Sequence, residues 1–144
     1  MVMSIAEILK QISEIKSNDE RVYALRVAVQ QVPSIAMFLR MAFDKSLVWQ
    51  LPNGDPPWTP TNALDQQGRL MQEMRRMYVF FVGGAPNLPS FKREKLFIEI
   101  LESIDPADAA ILLLAKDKKP PYKNITRKLV QTAFPNLLMD GANE

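Results

Sequence analysis

The chain has 144 residues, of which 47% are hydrophobic and 24% are charged, and these proportions are typical of one globular domain. Its 18 Lys and Arg residues against 16 Asp and Glu residues give a formal charge of +2, which by itself indicates no class of partner. The absence of Cys and His excludes disulfides, zinc–thiolate sites and thiol catalysis, and it removes the commonest general base.

The sequence also lacks the patterns that direct a chain to a membrane. Its longest apolar runs, such as residues 109–115, are far shorter than the roughly 20 residues needed to span a bilayer. The first residues, MVMSIAEILK, lack the cationic and apolar regions of a signal peptide. We therefore expect a cytoplasmic protein with no membrane partner.

Helical spacing of apolar residues predicts three helices near the N-terminus, over residues 5–16, 19–31 and 35–43. Ser4 with Glu7, and Ser17 with Glu20, form capping-box patterns that mark the first two helix starts. Pro33 separates the second helix from the third. The short links predict consecutive antiparallel neighbours in an orthogonal or bundle-like packing.

Residues 44–61 are predicted to form a long loop, because the segment LPNGDPPWTP holds four prolines and a glycine. A loop of this length in a compact domain is either functional or held in place by its own side chains. Trp58 has two interpretations. It is a stacking platform or anchor for a partner, or it folds back as a plug over the edge of the core.

A long helix is predicted from residue 62 onwards, ended by Gly83-Gly84. We interpret its apolar stripe as core rather than as a cofactor site; the stripe consists of Leu70, Met74, Met77, Tyr78 and Phe81.

Two further helices are predicted over residues 91–104 and 107–116, and the second is nearly all apolar and should be the most buried. Asp105 and Pro106 mark its start. The last helix begins at Asn124 or Thr126 and ends before Pro135. The sequence thus predicts an all-α fold: one compact domain, residues 1–138, of about six or seven helices with one long Pro-rich loop. Residues 139–144 should form a flexible tail.

Positive charge is concentrated between Lys116 and Lys128. This stretch holds six basic residues and one acid, a local charge of +5, which leaves −3 for the rest of the chain. Such segregation is typical of a surface that binds a polyanion, and the last helix start near Asn124 would add free backbone N–H groups for a phosphate. The alternative is an ordinary solvated lysine-rich loop. The candidate nucleic-acid-binding residues are Lys118, Lys119, Lys123, Asn124, Arg127 and Lys128.

The acidic residues give little indication of an enzyme. Glu99, Glu102, Asp105 and Asp108 gather around one helix junction, where Glu99 and Glu102 share a face. They could bind a divalent cation, or they form a solvated face and a helix cap. With no nucleophile–base pair and no nucleotide-binding loop, the sequence predicts a protein without catalytic residues, metal or cofactor.

Two ends of the chain share a helix-and-link pattern with a known family. The first stretch is IAEILKQISEIKSNDERVYALR followed by FLRMAFDKSLVWQLP; the second runs from KREKLFIEILESIDPADAAILLLAKDK to Phe134-Pro135-Asn136-Leu137. Both resemble the N-terminal DNA-binding domain of ATP-dependent DNA ligases of the T-even phage type. The whole sequence also resembles a group of short, uncharacterised proteins of T-even-like phages, with the segments LPNGDPPWTPTNA, KREKLFIEILES and AFPNLL.

The resemblance implies a stand-alone module that grips the backbone of duplex DNA in the cytoplasm of a phage host. It implies no ligase chemistry, because the chain contains no Lys-x-Asp-Gly motif. Where the ligase link carries a glycine, this chain has Pro120-Pro121-Tyr122. The alternative is an adaptor for a phage or host protein, or a part of the virion, that acts through Trp58 and residues 51–61.

Overall fold

A computed structural model describes residues 3–61 and 66–140. These residues form seven α-helices and one 3₁₀-helix, which confirms the all-α prediction. The α-helices are α1 (Ile5–Ser13), α2 (Asn18–Gln31), α3 (Ser34–Phe43), α4 (Arg69–Glu73), α5 (Ser90–Ser103), α6 (Pro106–Lys116) and α7 (Arg127–Ala133), and the 3₁₀-helix is Met74–Phe80. None of the described helices is both long and apolar enough to cross a bilayer.

The predicted starts of α1 and α2 are confirmed. The Ser4 hydroxyl accepts a hydrogen bond from Glu7 N (3.1 Å), and the Ser17 hydroxyl accepts one from Glu20 N (3.3 Å). The end of α1 differs from the prediction, since the helix stops at Ser13 and not at residue 16. Beyond this end, the Arg21 guanidinium donates to the carbonyl of Ile15 (2.6 Å), so this carbonyl is satisfied outside a helix.

The predicted long helix after the Pro-rich loop is wrong in its described part. Its first residues, 62–65, lie outside the described residues, and α4 continues after five residues as the 3₁₀-helix. Met74, Met77 and Phe80 follow one another at intervals of three and are all buried. Since a 3₁₀-helix has three residues per turn, the tighter winding places these side chains on one line towards the core.

One residue of the predicted stripe, Tyr78, is not part of the core, and Phe80 takes its place. Tyr78 is 57% exposed, whereas Phe80 is fully buried and packs against Phe97 with ring centroids 5.3 Å apart. Phe81 is buried as predicted and pairs with Trp49 in an isolated antiparallel bridge. The predicted glycine cap is wrong, because the 3₁₀-helix ends at Phe80 and an extended Phe81 is its C-cap. The glycines form a later turn: Gly83 has φ +87°, and a side chain at Gly84 would collide with the carbonyl of Tyr78.

The core lies around α3 and α6, which pack against each other. Helix α6 also contacts α1 and α5, while α2 contacts α1, α3 and α7. The side chains of Phe38, Leu39 and Leu112 are fully buried at this centre. The predicted burial of α6 is therefore confirmed, and α3 shares it.

Asp108 of α6 caps a neighbouring helix from inside the core. Its carboxylate accepts a hydrogen bond from Ala6 N (2.7 Å) at the start of α1, while Oδ2 has no hydrogen-bond partner among the described residues. Burial raises the pKa of Asp108 to about 7; Asp105 and Glu7 add to this rise, and the bond from Ala6 opposes it. A carboxyl that was expected at a solvated helix junction is thus a buried structural group.

We expect this carboxyl to make the protein less stable as the pH rises. Between about pH 4, near its pKa in the unfolded chain, and about pH 7, the folded protein holds a proton on Asp108 that the unfolded chain has released. The free energy of unfolding should therefore fall across this range. Asp108→Asn should flatten that fall in urea denaturation at several pH values. The exposed Asp55→Asn variant is the control, and an unchanged slope in Asp108→Asn would contradict the assignment.

Candidate phosphate-binding surface

The link between α6 and α7 leaves its helix through a tight reversal at Lys118. Lys118 N donates to the carbonyl of Ala115 (2.9 Å) and Lys119 N to that of Leu114 (2.8 Å), the two bonds of a Schellman motif. Lys118 occupies the left-handed position of this motif, with φ +58°. The backbone conformation that usually requires glycine is therefore present in this link, but a lysine adopts it and the Pro120-Pro121 pair follows.

This reversal turns the Lys118 ammonium towards the C-terminal end of α3. Although the residue as a whole is exposed, its Nζ donates to the carbonyls of Met41 and Asp44, both at 2.8 Å. Burial lowers the pKa of Lys118 to about 8, with the charges of Arg127 and Arg40 acting in the same direction and those of Asp44 and Asp140 against it. Lys118 is first of all a tertiary cap of α3.

Arg127, the first residue of α7, is also bound to α3. Its Nη1 donates to the carbonyl of Phe43 and to Asp140 Oδ2 (3.0 Å), and its Nη2 donates to Asp140 Oδ1 (2.7 Å). The bidentate bond from Arg127 lowers the pKa of Asp140 to about 2. Residues 139 and 140, expected to begin the flexible tail, are thus in contact with the fold, and Leu138 before them is buried.

The start of α7 settles the choice between Asn124 and Thr126. The Thr126 hydroxyl accepts from Leu129 N (3.2 Å), so Thr126 is the N-cap. The Asn124 amide donates instead to the carbonyl of Ser13 (2.8 Å) and closes the end of α1. The predicted helix start at Asn124 is therefore wrong, and the side chain there is bonded to another helix.

Four of the six predicted residues are exposed: Lys118, whose ammonium is bonded to α3, and Lys119, Lys123 and Lys128. Beside them lies a cavity of about 280 Å³. Its basic lining residues are Lys45, Lys118 and Arg127, and the others are Ala42, Phe43, Pro120 and Thr126. The structure therefore brings Lys118 and Arg127 together and adds Lys45, which sequence reasoning missed because it lies more than 70 residues earlier.

The Pro-rich loop is fixed to the body of the protein. Lys116 is buried, and its ammonium donates to the carbonyl of Pro52 (2.8 Å) and to Asp117 (2.7 Å). The backbone N of Thr59 donates to Glu102 (2.8 Å). Trp58 is half-buried and packs against the hydrophobic core, as the plug interpretation predicts.

Three acidic residues around the α5–α6 junction each accept a hydrogen bond from a different backbone N–H group. Glu102 accepts from Thr59, Asp105 caps α6 by accepting from Ala107 N (3.1 Å), and Asp108 caps α1. Within residues 3–61 and 66–140, no three acidic side chains come together as a metal site. The helix-cap interpretation is confirmed for Asp105, whereas the buried Asp108 caps another helix and not the solvated junction that was expected.

Residues 8–120 match the model of a family described as "Family of unknown function (DUF6433)". Because the match covers most of the chain, the chain belongs to this family. Neither the curated proteins nor the solved structures include a match.

The left-handed backbone at Lys118 allows a direct test of the link geometry. Lys118→Gly and Lys118→Ala both remove the ammonium, but only glycine adopts φ +58° without strain. We expect Lys118→Gly to be the more stable of the two by about 0.5–1 kcal/mol in urea denaturation. The same pair of substitutions at Lys119, which lacks a positive φ, is the control and should favour alanine. Equal stabilities at Lys118 would contradict the geometry.

Proposed function

We propose that this protein is a non-catalytic DNA-binding module that contacts the phosphate backbone of duplex DNA through the link between α6 and α7. The contacts come from Lys119, Lys123 and Lys128, with the cavity at Lys118 and Arg127 beside them. The observation that carries the proposal is the segregation of charge: +5 between Lys116 and Lys128 against −3 elsewhere.

The exposed lysines suit contacts with phosphates. Among the described residues, Lys119, Lys123 and Lys128 have no ion-pair partner within 4.0 Å, so their charge is available to an external anion. Each phosphate neutralised by such a lysine releases condensed counterions, which gives affinity without sequence preference.

The backbone that carries these lysines is held in place on both sides. Lys118 is bonded to α3, Pro121 is buried, and Asn124 is bonded to α1. A link fixed in this way loses less conformational entropy when it binds than a free lysine-rich loop would. This distinguishes the surface from an ordinary solvated loop.

The resemblance to the DNA-binding domain of phage-type ligases supports the same assignment and adds a location, the cytoplasm of a phage host. Lys118 and Arg127 contribute mainly through their field, because Lys118 donates two of its three N–H groups to carbonyls and Arg127 donates to the carbonyl of Phe43 and to the Asp140 carboxylate. The link of this chain has no glycine, and Lys118 adopts the left-handed conformation there.

The alternative function, an adaptor that binds a phage or host protein through residues 51–61, has less support. Trp58, its proposed anchor, is packed against the core, and Lys116 and Glu102 hold the loop on either side. The adaptor predicts no affinity for duplex DNA at low salt, so the experiment below distinguishes the two functions.

We expect the triple variant Lys119→Glu, Lys123→Glu, Lys128→Glu to lose duplex binding. In a fluorescence anisotropy titration at several salt concentrations, losing three phosphate contacts should reduce the slope of log affinity against log salt by about 3. Intact and nicked duplexes should behave alike in this respect, since the contacts are to phosphates.

The matched control reverses three exposed lysines on other elements, Lys10, Lys92 and Lys95. It changes the net charge of the protein by the same amount but leaves the link intact. If both triple variants weaken DNA binding equally, the lysines of the link bind DNA no more than exposed lysines elsewhere on the protein. If the wild-type protein shows no affinity at low salt, DNA binding is refuted.

A further inference from the structure

The Asp140 carboxylate is held in the manner of a bound anion. It accepts from Arg127 through both oxygens (2.7 and 3.0 Å) and also from Lys45 N (2.6 Å). Its side chain is only 5% exposed. A planar guanidinium with an additional backbone N–H is a common arrangement for carboxylate and phosphate oxygens alike.

The surroundings contain more positive charge than Asp140 neutralises. Arg127 and Lys45 line the 280 Å³ cavity together with Lys118 and Thr126. Lys118 uses two of its three N–H donors on carbonyls, and the Lys45 side chain is exposed. The buried Asp44 carboxylate also acts on the charges of Lys118 and Arg127, and it is paired with Arg40. Two carboxylates therefore face four cationic side chains, so the balance stays positive and donors remain for an anion with more oxygen atoms.

We propose that this cavity is an anion site for a phosphate group, and that Asp140 is an internal competitor which the phosphate displaces from Arg127 and Lys45. The inference rests on the proposed function, because it assigns to the same surface one specific phosphate position and a means of its control. The ligand is a phosphate group, either in a nucleic-acid backbone or as inorganic phosphate.

The contacts around Asp140 allow the carboxylate to leave without unfolding the domain. Leu138 is buried, and Met139 N donates to Asp44 Oδ2 (3.1 Å), so the chain stays anchored just before Asp140. Arg127 keeps its bond to the carbonyl of Phe43 when the carboxylate is gone. The guanidinium therefore remains in place to receive another anion.

With competition of this kind, the apparent affinity equals the intrinsic affinity multiplied by the fraction of molecules in which the site is free. If Asp140 occupies the site in about nine molecules of ten, its removal raises the affinity about tenfold. Asp140→Asn keeps the shape of the side chain while removing its charge, and it is the variant of choice.

The experiment measures two probes, inorganic phosphate by NMR chemical-shift titration and duplex DNA by anisotropy, on four proteins. These are the wild type, Asp140→Asn, Arg127→Gln and the double variant. We expect Asp140→Asn to bind each probe about tenfold more tightly than the wild type. The gain should disappear in the Arg127→Gln background, because it depends on the guanidinium.

The control Asp55→Asn makes the same change of charge at an exposed position outside the cavity and should leave both affinities near those of the wild type. A gain that persists in the Arg127→Gln background reflects general electrostatics and overturns the proposal, as does an unchanged affinity of Asp140→Asn for both probes. If phosphate shows the Arg127-dependent gain while no variant binds duplex DNA, the anion site stands and the proposed DNA-binding function falls. Circular dichroism of each variant confirms that the helices are intact.

Discussion

The C-terminal end of α3 is the junction on which the arrangement of this domain depends. The last carbonyl groups of an α-helix have no partner within the helix, and here they lie beside the core, where Met41 and Phe43 are buried. Side chains from later in the chain satisfy them: Trp49 donates to the carbonyl of Met41 (3.1 Å), and Lys118 and Arg127 supply the other donors. Cations at this end of a helix also interact favourably with its dipole.

Asp44 connects this junction to three parts of the chain. Its fully buried carboxylate accepts from Ser46 in the following loop (2.9 Å), from Arg40 of α3 (3.0 Å) and from Met139 N in the tail (3.1 Å). Burial alone would raise the pKa of Asp44, but these hydrogen bonds outweigh it and lower the pKa. A buried charge is tolerated here because these groups donate hydrogen bonds to it.

The same use of cations at backbone carbonyls recurs elsewhere, and it limits what charge counting in the sequence can predict. Arg26 donates to the carbonyl of Ala133 at the end of α7 (3.0 Å), and the buried Arg93 donates to the carbonyl of Val79 (2.9 Å). Local signals, such as the N-caps Ser4 and Ser17, were predictable because cap and helix are adjacent in sequence. The carbonyl groups that accept from these cations lie up to 107 residues away, so the sequence could not separate structural cations from exposed ones.

The 3₁₀-helix was also missed, because spacings of three and four residues overlap in a short apolar stripe.

The structural role of Lys118 and Arg127 does not remove their electrostatic effect on the surface. A carbonyl acceptor carries no net charge, so an ammonium bonded to it still contributes a full positive charge to the surrounding field. Asp140 pairs directly with Arg127, and the nearby Asp44 offsets part of the charge of Lys118. Among the described residues, the exposed Lys45 of the cavity has no ion-pair partner within 4.0 Å. The docking of the link onto α3 therefore creates the positive surface as a consequence of capping a helix. Positive charge over exposed lysines is what the proposed contacts with a phosphate backbone require, because such contacts need charge and no base-specific donors.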